Sequence, residues 1–313
     1  MSVGHEGVRC APNLFMVGAP KSGTTAMGHY LNAHPDIFVA GRELNYFGTD
    51  LDFLTPQGVP WRISWEDYLG WFEGQSHKRY RADRSVFYLY SRTAAQEIRR
   101  HDPNSRVVVM LRDPVDQMYS EHSEMLFQGE EDLTDFADAL AAEEDRKQGR
   151  RIVEGCHHAF GLFYRDVARY ADQLERYFST FGREQVHVIV FDDLVADPVE
   201  TYTAVLQFLE LDTSHQPHFA VVNGNKVNRS TILSKALRTT SPGWRKAGRM
   251  LVPSPTARAR LRRRVRQLNT ASRSRGPMDP ELRRALEVEF EPEILRLESL
   301  LGRTLPGWRR SQA

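Results

Sequence analysis

The stretch LFMVGAPKSGTTAMGHYL, which runs from Leu14 to Leu31, decides the fold of this chain. Its first four residues are apolar and typical of a strand, the next three predict a tight turn, and the remainder predicts a helix. A strand that turns through glycine into a helix presents unpaired N–H groups and the positive end of the helix dipole. The turn and the helix start consist of Lys21, Ser22, Gly23, Thr24 and Thr25. With their ammonium and hydroxyl groups they predict a cradle for phosphate or a similar tetrahedral dianion.

The spacing within this loop differs from that of a nucleoside-triphosphatase P-loop. That motif has four residues between its two glycines, and its lysine follows the second glycine directly. Here Lys21 precedes Gly23, and only two residues separate it from Gly18. The order Lys-Ser-Gly-Thr-Thr resembles the phosphosulfate-binding loop of sulfotransferases that use 3′-phosphoadenosine 5′-phosphosulfate (PAPS). A glycine-rich turn without a ligand is the alternative, and the concentration of polar side chains argues against it.

Composition limits the class of protein. The chain has 313 residues and a formal net charge of +1, so its overall charge gives no reason to expect a nucleic-acid partner. Cys10 and Cys156 are its two cysteines, too few for a disulfide framework or a cysteine zinc site. Neither a signal peptide nor an apolar run near 18 residues is apparent. We therefore expect a cytoplasmic protein with one domain over residues 1–313, of which 1–12 form a flexible N-terminus.

Strand and helix patterns alternate along the chain. Further strands are predicted for DIFVA (36–40), RYRAD (79–83), SRVVVMLRDP (105–114) and QVHVIVFDDL (185–194), and one helix for 161–182. A C-terminal amphipathic helix has a possible break at Pro292. We expect an α/β fold with a P-loop-NTPase-like parallel sheet, flanked by helices on both faces. Ligands of such sheets bind beyond the carboxyl ends of the strands.

One segment, residues 231–277, departs from this alternation. It is rich in arginine and proline, has helical potential, and is most basic at 258–275. An exposed Arg-rich helical insertion near the C-terminus is one interpretation. A basic lid, or a contact with a membrane surface or an acidic substrate, is the other.

The run RDPVDQMYS contains a second candidate for anion binding. Arg112 follows the most apolar predicted strand, and Ser120 lies eight residues later on a predicted helix. By resemblance to sulfotransferases, this pair is expected to hold the 3′-phosphate of PAPS. A guanidinium and a hydroxyl suit a phosphate monoester. A cap or ion pair with Asp113 is the alternative role for Arg112.

The run GRELNYF contains a candidate base. Glu43 lies among apolar and aromatic residues, and partial desolvation would raise its pKa and suit it to proton abstraction. A solvent-facing glutamate is the alternative. The segment resembles the Glu-x-x-Phe/Tyr-Phe element of heparan-sulfate and related bacterial sulfotransferases, in which this Glu is the base for the acceptor. Tyr46 and Phe47 match, whereas Asn45 stands where some members have histidine.

Two weaker resemblances complete the predicted site. DRSVFYL (83–89) is similar to the family's Glu-Lys-Ser/Thr-Pro-x-Tyr-Leu segment, with Asp83 for Glu and Arg84 for Lys. Arg84 keeps the charge of the lysine but cannot give up a proton, so acceptor binding and a salt bridge are both open roles. In the run NGNKVNRSTIL, Arg229, and with it Lys226, matches a basic loop that closes over the nucleotide in relatives.

These patterns predict a PAPS-dependent sulfotransferase, closest to bacterial relatives of the heparan-sulfate type. The resemblance implies that Glu43 is the base, that Lys21 stabilises the leaving phosphate, and that no metal is required. The expected acceptor is a carbohydrate, a lipid or another small molecule, and three tryptophans at 61, 65 and 71 are candidates for its pocket or for the core. Two alternatives are a P-loop kinase or NTPase, with Asp192 and Asp193 in a Walker-B-like strand, and a non-catalytic adaptor.

Overall fold

A five-stranded, all-parallel sheet forms the centre of the molecule. The computed structural model describes residues 10–54, 62–154, 156–219, 226–228, 270–272 and 275–309. The strands are β1 (Leu14–Met16), β2 (Ile37–Val39), β3 (Tyr80–Arg84), β4 (Arg106–Leu111) and β5 (Val186–Val190), in the order β2-β3-β1-β4-β5. In β1, Phe15 is in register with Asp83 of β3 and Val107 of β4. The predicted α/β sheet is confirmed.

Helices cover both faces of this sheet. The described helices are α1 (Thr24–Asn32), α2 (Trp65–Gly70), α3 (Ala94–His101), α4 (Pro114–Gln128), α5 (Phe136–Ala141), α6 (Glu143–Lys147), α7 (Tyr164–Ala168), α8 (Tyr170–Phe181), α9 (Phe191–Ala196), α10 (Pro198–Phe208) and α11 (Pro280–Leu301). Val107 and Val109 pack with α3, α4, α8 and α11, whereas Val108 and Met110 pack with α1 and α10. Because successive strand residues point to opposite faces, each face of the sheet has its own hydrophobic core.

Three predicted elements differ from the structure. The helix expected over 161–182 is divided into α7 and α8, because Arg169 adopts φ −82° and ψ 82° between them. The strand expected to reach Leu194 ends at Val190, and its acidic end belongs to α9. The C-terminal helix α11 continues through Pro292, where Phe290 and Ile294 are buried on either side of the proline and hold the helix against the core.

Much of the basic segment lies outside the described residues, namely 231–269 and 273–274. Strands β6 (Lys226–Asn228) and β7 (Thr270–Ser272) pair antiparallel and bring the two flanks of this segment together. Strand β6 lies against α4. Within the described part of the chain, every helix is too short or too polar to cross a bilayer.

The chain reverses its direction across the sheet between β1 and β4. After β1 it runs through α1 towards β2, and after β4 it runs through α4 and α8 towards β5. Open parallel sheets bind ligands at such a switch point, beyond the carboxyl ends of the strands. The loop after β1 and Arg112 after β4 both lie at this point.

Candidate functional site

The N-terminus of α1 is prepared for an anion. Gly23 caps the helix at φ 84°, no side chain caps its N–H groups, and its first turn contains no acid. Among the other described helices, a Ser or Asp side chain accepts from the first turn of α2, α4, α5, α10 and α11. Helices α3, α6, α7, α8 and α9 lack such a cap but contain an acid in the first turn. The uncapped N–H groups and the helix dipole therefore remain available to a ligand.

Close packing fixes the loop that leads into this helix. At Gly18, with φ 147°, an added Cβ would overlap the carbonyl oxygen of Val86, so only glycine fits. The Gly18 carbonyl accepts from the N–H of Met110 at 2.6 Å, and the Val17 carbonyl accepts from the N–H of Leu89 at 2.7 Å. The loop is thereby tied to β4 and to the segment after β3.

Lys21 projects from the loop in a left-handed conformation, with φ 61°. Its Nζ atom forms an ion pair with Glu124 Oε2 of α4 at 2.8 Å, and both side chains are about a third exposed. Glu124 therefore holds the ammonium end of the Lys21 side chain. Its backbone carbonyl accepts from Arg112 at 3.2 Å.

A second basic group surrounds Ser120. Arg275 donates to Ser120 Oγ at 2.9 Å and stacks on Tyr119 with its guanidinium carbon 5.0 Å from the ring centre. Burial and the proximity of Arg112 lower the pKa of Arg275. Arg112 itself stacks on Phe191 at 4.7 Å. Two guanidinium groups held near one hydroxyl suit a phosphate monoester.

Glu43 lies close enough to Lys21 and Arg84 for both cations to act on its carboxyl. Its carboxyl is 3.9 Å from a guanidinium nitrogen of Arg84, and about a third of its side chain (34%) is exposed. Burial among the surrounding protein raises the pKa of Glu43 to about 7; Arg84 and Lys21 lower it, and Asp83 and Glu124 raise it further. A carboxyl with such a pKa is half ionised near neutrality, which suits a base.

Arg84 lies between the carboxyl and helix α1. Its guanidinium donates to Thr25 Oγ1 at 3.3 Å, and its Cδ atom would lie 3.1 Å from a Cβ added at Gly28. A glycine in the middle of α1 thus makes room for this side chain. The salt bridge with Glu43, one of the two expected roles, is present in the structure.

Two acids of α4 extend the site beyond the predicted residues. Only 3% of Glu121 is exposed, and this burial raises its pKa to about 8. Its charged neighbours are Lys21, which lowers the pKa, and Glu124 and Glu43, which raise it. Sequence patterns missed Glu121, Glu124 and Arg275. The spacing of the acids on α4 is typical of any exposed helix face, and Arg275 is 155 residues from Ser120.

The structure brings most of the predicted residues together. Lys21, Thr25, Glu43, Arg84 and the pair Arg112–Ser120 lie along the edge formed by the strand ends. Ser22 and Thr24 are buried in the turn, and Ser22 Oγ donates to the Pro20 carbonyl at 3.4 Å. Arg229 lies outside the described residues, as does the side chain of Lys226.

The aspartates and tryptophans named from the sequence lie elsewhere. Asp192 accepts from Trp308 Nε1 at 2.6 Å, and Asp193 forms an ion pair with Arg303 at 2.6 Å. Both are thus engaged by the C-terminal segment, and β5 is separated from β1 by β4. Trp65 and Trp71 are 40% exposed, so they are surface and not core residues, while Trp61 lies outside the described part of the chain.

Comparisons with known proteins identify relatives of this chain. The profile of a family described as "Sulfotransferase domain" matches residues 11–248. The mouse protein heparan sulfate glucosamine 3-O-sulfotransferase 5 is 22% identical over 209 residues, which cover 66% of this chain and 56% of that protein. Human carbohydrate sulfotransferase 15 is 21% identical over 97% of this chain and 56% of its own length, so the chain spans about half of either relative. A crystal structure of a sulfotransferase from Alicyclobacillus acidocaldarius has a TM-score of 0.67 and 27% identity, covering 96% of this chain and 99% of that one.

Proposed function

The chain belongs to the sulfotransferase family, and from this premise we propose that it transfers a sulfuryl group from PAPS to a hydroxyl or amine of a carbohydrate, lipid or other small-molecule acceptor. The observation that carries the proposal is the meeting of three features at one edge of the sheet. These are the uncapped α1 N-terminus with Lys21, the guanidinium pair beside Ser120, and the Glu43 carboxyl with a pKa of about 7.

The two anionic ends of PAPS match the two basic groups of the site. We assign the 5′-phosphosulfate to Lys21 and the N–H groups of the loop and α1. The 3′-phosphate is assigned to Arg112, Ser120 and Arg275. Planar guanidinium groups bind phosphate oxygens in pairs, so this second group would discriminate PAPS from nucleotides that lack a 3′-phosphate.

The chemistry follows from the positions of the charged groups. Glu43 takes the proton of the acceptor hydroxyl or amine, whose heteroatom attacks the sulfur. The bond between sulfur and the bridging phosphate oxygen breaks, and its electron pair stays on that oxygen in the departing 3′-phosphoadenosine 5′-phosphate (PAP). Lys21 stabilises this developing charge, which is the term that dominates catalysis in related phosphoryl transfers. Arg84, close to both Glu43 and α1, is placed to hold the transferred sulfonate.

The two alternatives expected from the sequence receive less support. A kinase or NTPase would place a metal-binding acid beside the loop, but Asp192 and Asp193 are paired with the C-terminal segment. A non-catalytic adaptor has no need of a carboxyl with a pKa near 7 beside a lysine. We also propose that the Arg-rich segment 258–275 contacts a membrane surface or an acidic substrate. Most of this segment lies outside the described part of the chain.

Calorimetry and a transfer assay test the proposal. We expect PAP to bind and ATP with magnesium to bind far more weakly. A screen of carbohydrate, lipid and phenolic acceptors with labelled PAPS should identify a product, and Lys21→Ala should lower its turnover by about two orders of magnitude or more. Normal turnover by Lys21→Ala, or tighter binding of ATP than of PAP, would contradict the assignment.

A further inference from the structure

Four consecutive backbone N–H groups next to Glu43 are anchored by two buried hydroxyls. The N–H groups of Leu44 and Asn45 both donate to Ser85 Oγ at 3.0 Å. The N–H groups of Tyr46 and Phe47 donate to Tyr88 Oη at 2.8 and 3.2 Å. The loop next to Glu43 is therefore held through its backbone, in addition to the packing of its buried side chains Leu44 and Phe47.

Both hydroxyls are in turn oriented by one buried carboxylate. Ser85 donates to Asp83 Oδ1 at 2.6 Å, and Tyr88 donates to Asp83 Oδ2 at 2.8 Å. Tyr68 donates to the same Oδ2 atom at 2.8 Å, and Asp83 is fully buried. Since each hydroxyl has one proton and donates it in a hydrogen bond to the carboxylate, the lone pairs of Ser85 and Tyr88 face the loop as acceptors. A hydrogen bond to a buried carboxylate is also stronger than a neutral one.

The conformation of the loop makes this anchoring necessary. Asn45 is in the left-handed region, with φ 51°, which asparagine adopts more readily than other residues with a side chain but still less readily than the right-handed and extended regions. A backbone conformation of this kind persists where the surrounding contacts hold it in place. Without Ser85 and Tyr88 as acceptors, several N–H groups, two of them on the buried residues Leu44 and Phe47, would lose their partners.

The same short segment also places the partner of Glu43. Successive residues of a strand point to opposite faces, so Asp83 and Ser85 face the loop while Arg84 faces Thr25 and Glu43. The end of β3 thereby fixes the backbone next to Glu43 through Asp83 and Ser85, and it contacts the Glu43 carboxyl through Arg84.

We propose that Asp83, Ser85 and Tyr88 are positioning residues, which lock the 44–47 loop and thereby place the Glu43 carboxyl for catalysis. The inference rests on the proposed function, because it takes Glu43 as the base. None of these three residues contacts the reacting atoms; they act through the backbone of the loop.

Tyr88→Phe is the central test, because it removes one hydroxyl and keeps the ring. We expect kcat to fall by about ten- to a hundredfold, PAP affinity to change less than twofold, and the 44–47 amides to exchange hydrogen faster. Because the freed loop exposes Glu43 to water, the acid limb of the pH–rate profile should move to lower pH. Tyr202→Phe is the matched control: Tyr202 is a buried tyrosine whose hydroxyl finds no partner among the described residues, and it should leave all of these properties unchanged.

Ser85 supplies a milder pair of variants if Tyr88→Phe folds poorly. Ser85→Ala should reproduce the loss of kcat, and Ser85→Thr, which keeps a hydroxyl, should restore it. A loss of activity that only follows the fraction of folded protein, with unchanged amide exchange and an unmoved acid limb, would overturn the inference. The exchange readout does not depend on activity. If Glu43→Gln proved fully active, the base assignment would fail while the anchoring of the loop could still be observed.

Discussion

The ionisation of Glu43 should control the acid limb of the reaction. Its pKa is raised from 4.5 to about 7, chiefly by burial. A base must be ionised to accept a proton, so the rate should fall as the pH drops below 7. With this pKa about 3% of Glu43 is ionised at pH 5.5 and about 90% at pH 8, which predicts a roughly thirtyfold difference in kcat/KM. A carboxyl with the ordinary pKa would be about 90% ionised at pH 5.5 and almost fully ionised at pH 8, so the rate would barely change between them.

The assay is kcat/KM for PAPS between pH 5 and 9, with the acceptor that the transfer screen identifies. Glu43→Gln should lower kcat by about two to four orders of magnitude at pH 8, abolish the limb, and leave PAP affinity within twofold.

Two other carboxyls make control variants necessary. Burial also raises the pKa of Asp113 to about 7 and that of Glu121 to about 8. The limb near pH 7 should therefore persist in Asp113→Asn and in Glu121→Gln. Its disappearance in either control, or its survival in Glu43→Gln, would refute the assignment of the base.

Three further predictions concern the charged groups around the loop. Glu124→Gln removes the partly exposed ion pair with Lys21 and leaves the ammonium group available to the nucleotide. The affinity for PAP, measured by calorimetry at low salt, should therefore rise by up to about fivefold. An unchanged affinity would mean that Lys21 does not face the nucleotide. Arg275→Ala should lower the affinity for PAP by about ten- to a hundredfold and the affinity for AMP by less than twofold, since AMP has no 3′-phosphate. Equal losses for both ligands would contradict the assignment of Arg275 to the 3′-phosphate. Glu121 has a raised folded pKa, so its ionisation destabilises the fold as the pH rises above its unfolded value. Glu121→Gln should therefore raise Tm at pH 8.5 and leave it nearly unchanged at pH 4.5, and a lower Tm at pH 8.5 would show that the carboxylate is stabilised.

Local patterns predicted the fold with modest errors at the ends of elements. The apolar run before Gly18 and the run at 107–111 are strands because each is bounded by turn residues and buried on both faces. Errors arose where tertiary packing overrides the local pattern. The helix broken at Arg169 and the helix continued through Pro292 are both examples.

The sequence by itself determined the strand–turn–helix unit and predicted both its role as an anion-binding loop and the candidate base. Lys21 and Gly23 are close in the chain, and the geometry of a strand–turn–helix unit is local, so spacing alone identifies the cradle. The apolar neighbours of Glu43 predicted its raised pKa, and the resemblance of its segment to the family element predicted its role as the base.

Only the tertiary structure decided what surrounds these residues. Arg275 reaches Ser120 across 155 positions, and Lys21 meets Glu124 across 103. The hydroxyl of Tyr88 anchors a loop more than 40 residues earlier. Such contacts depend on the order in which strands pair and helices pack, which no short pattern contains. The cradle is thus encoded locally, whereas the charges and hydrogen bonds that tune it are set by the packing of distant segments.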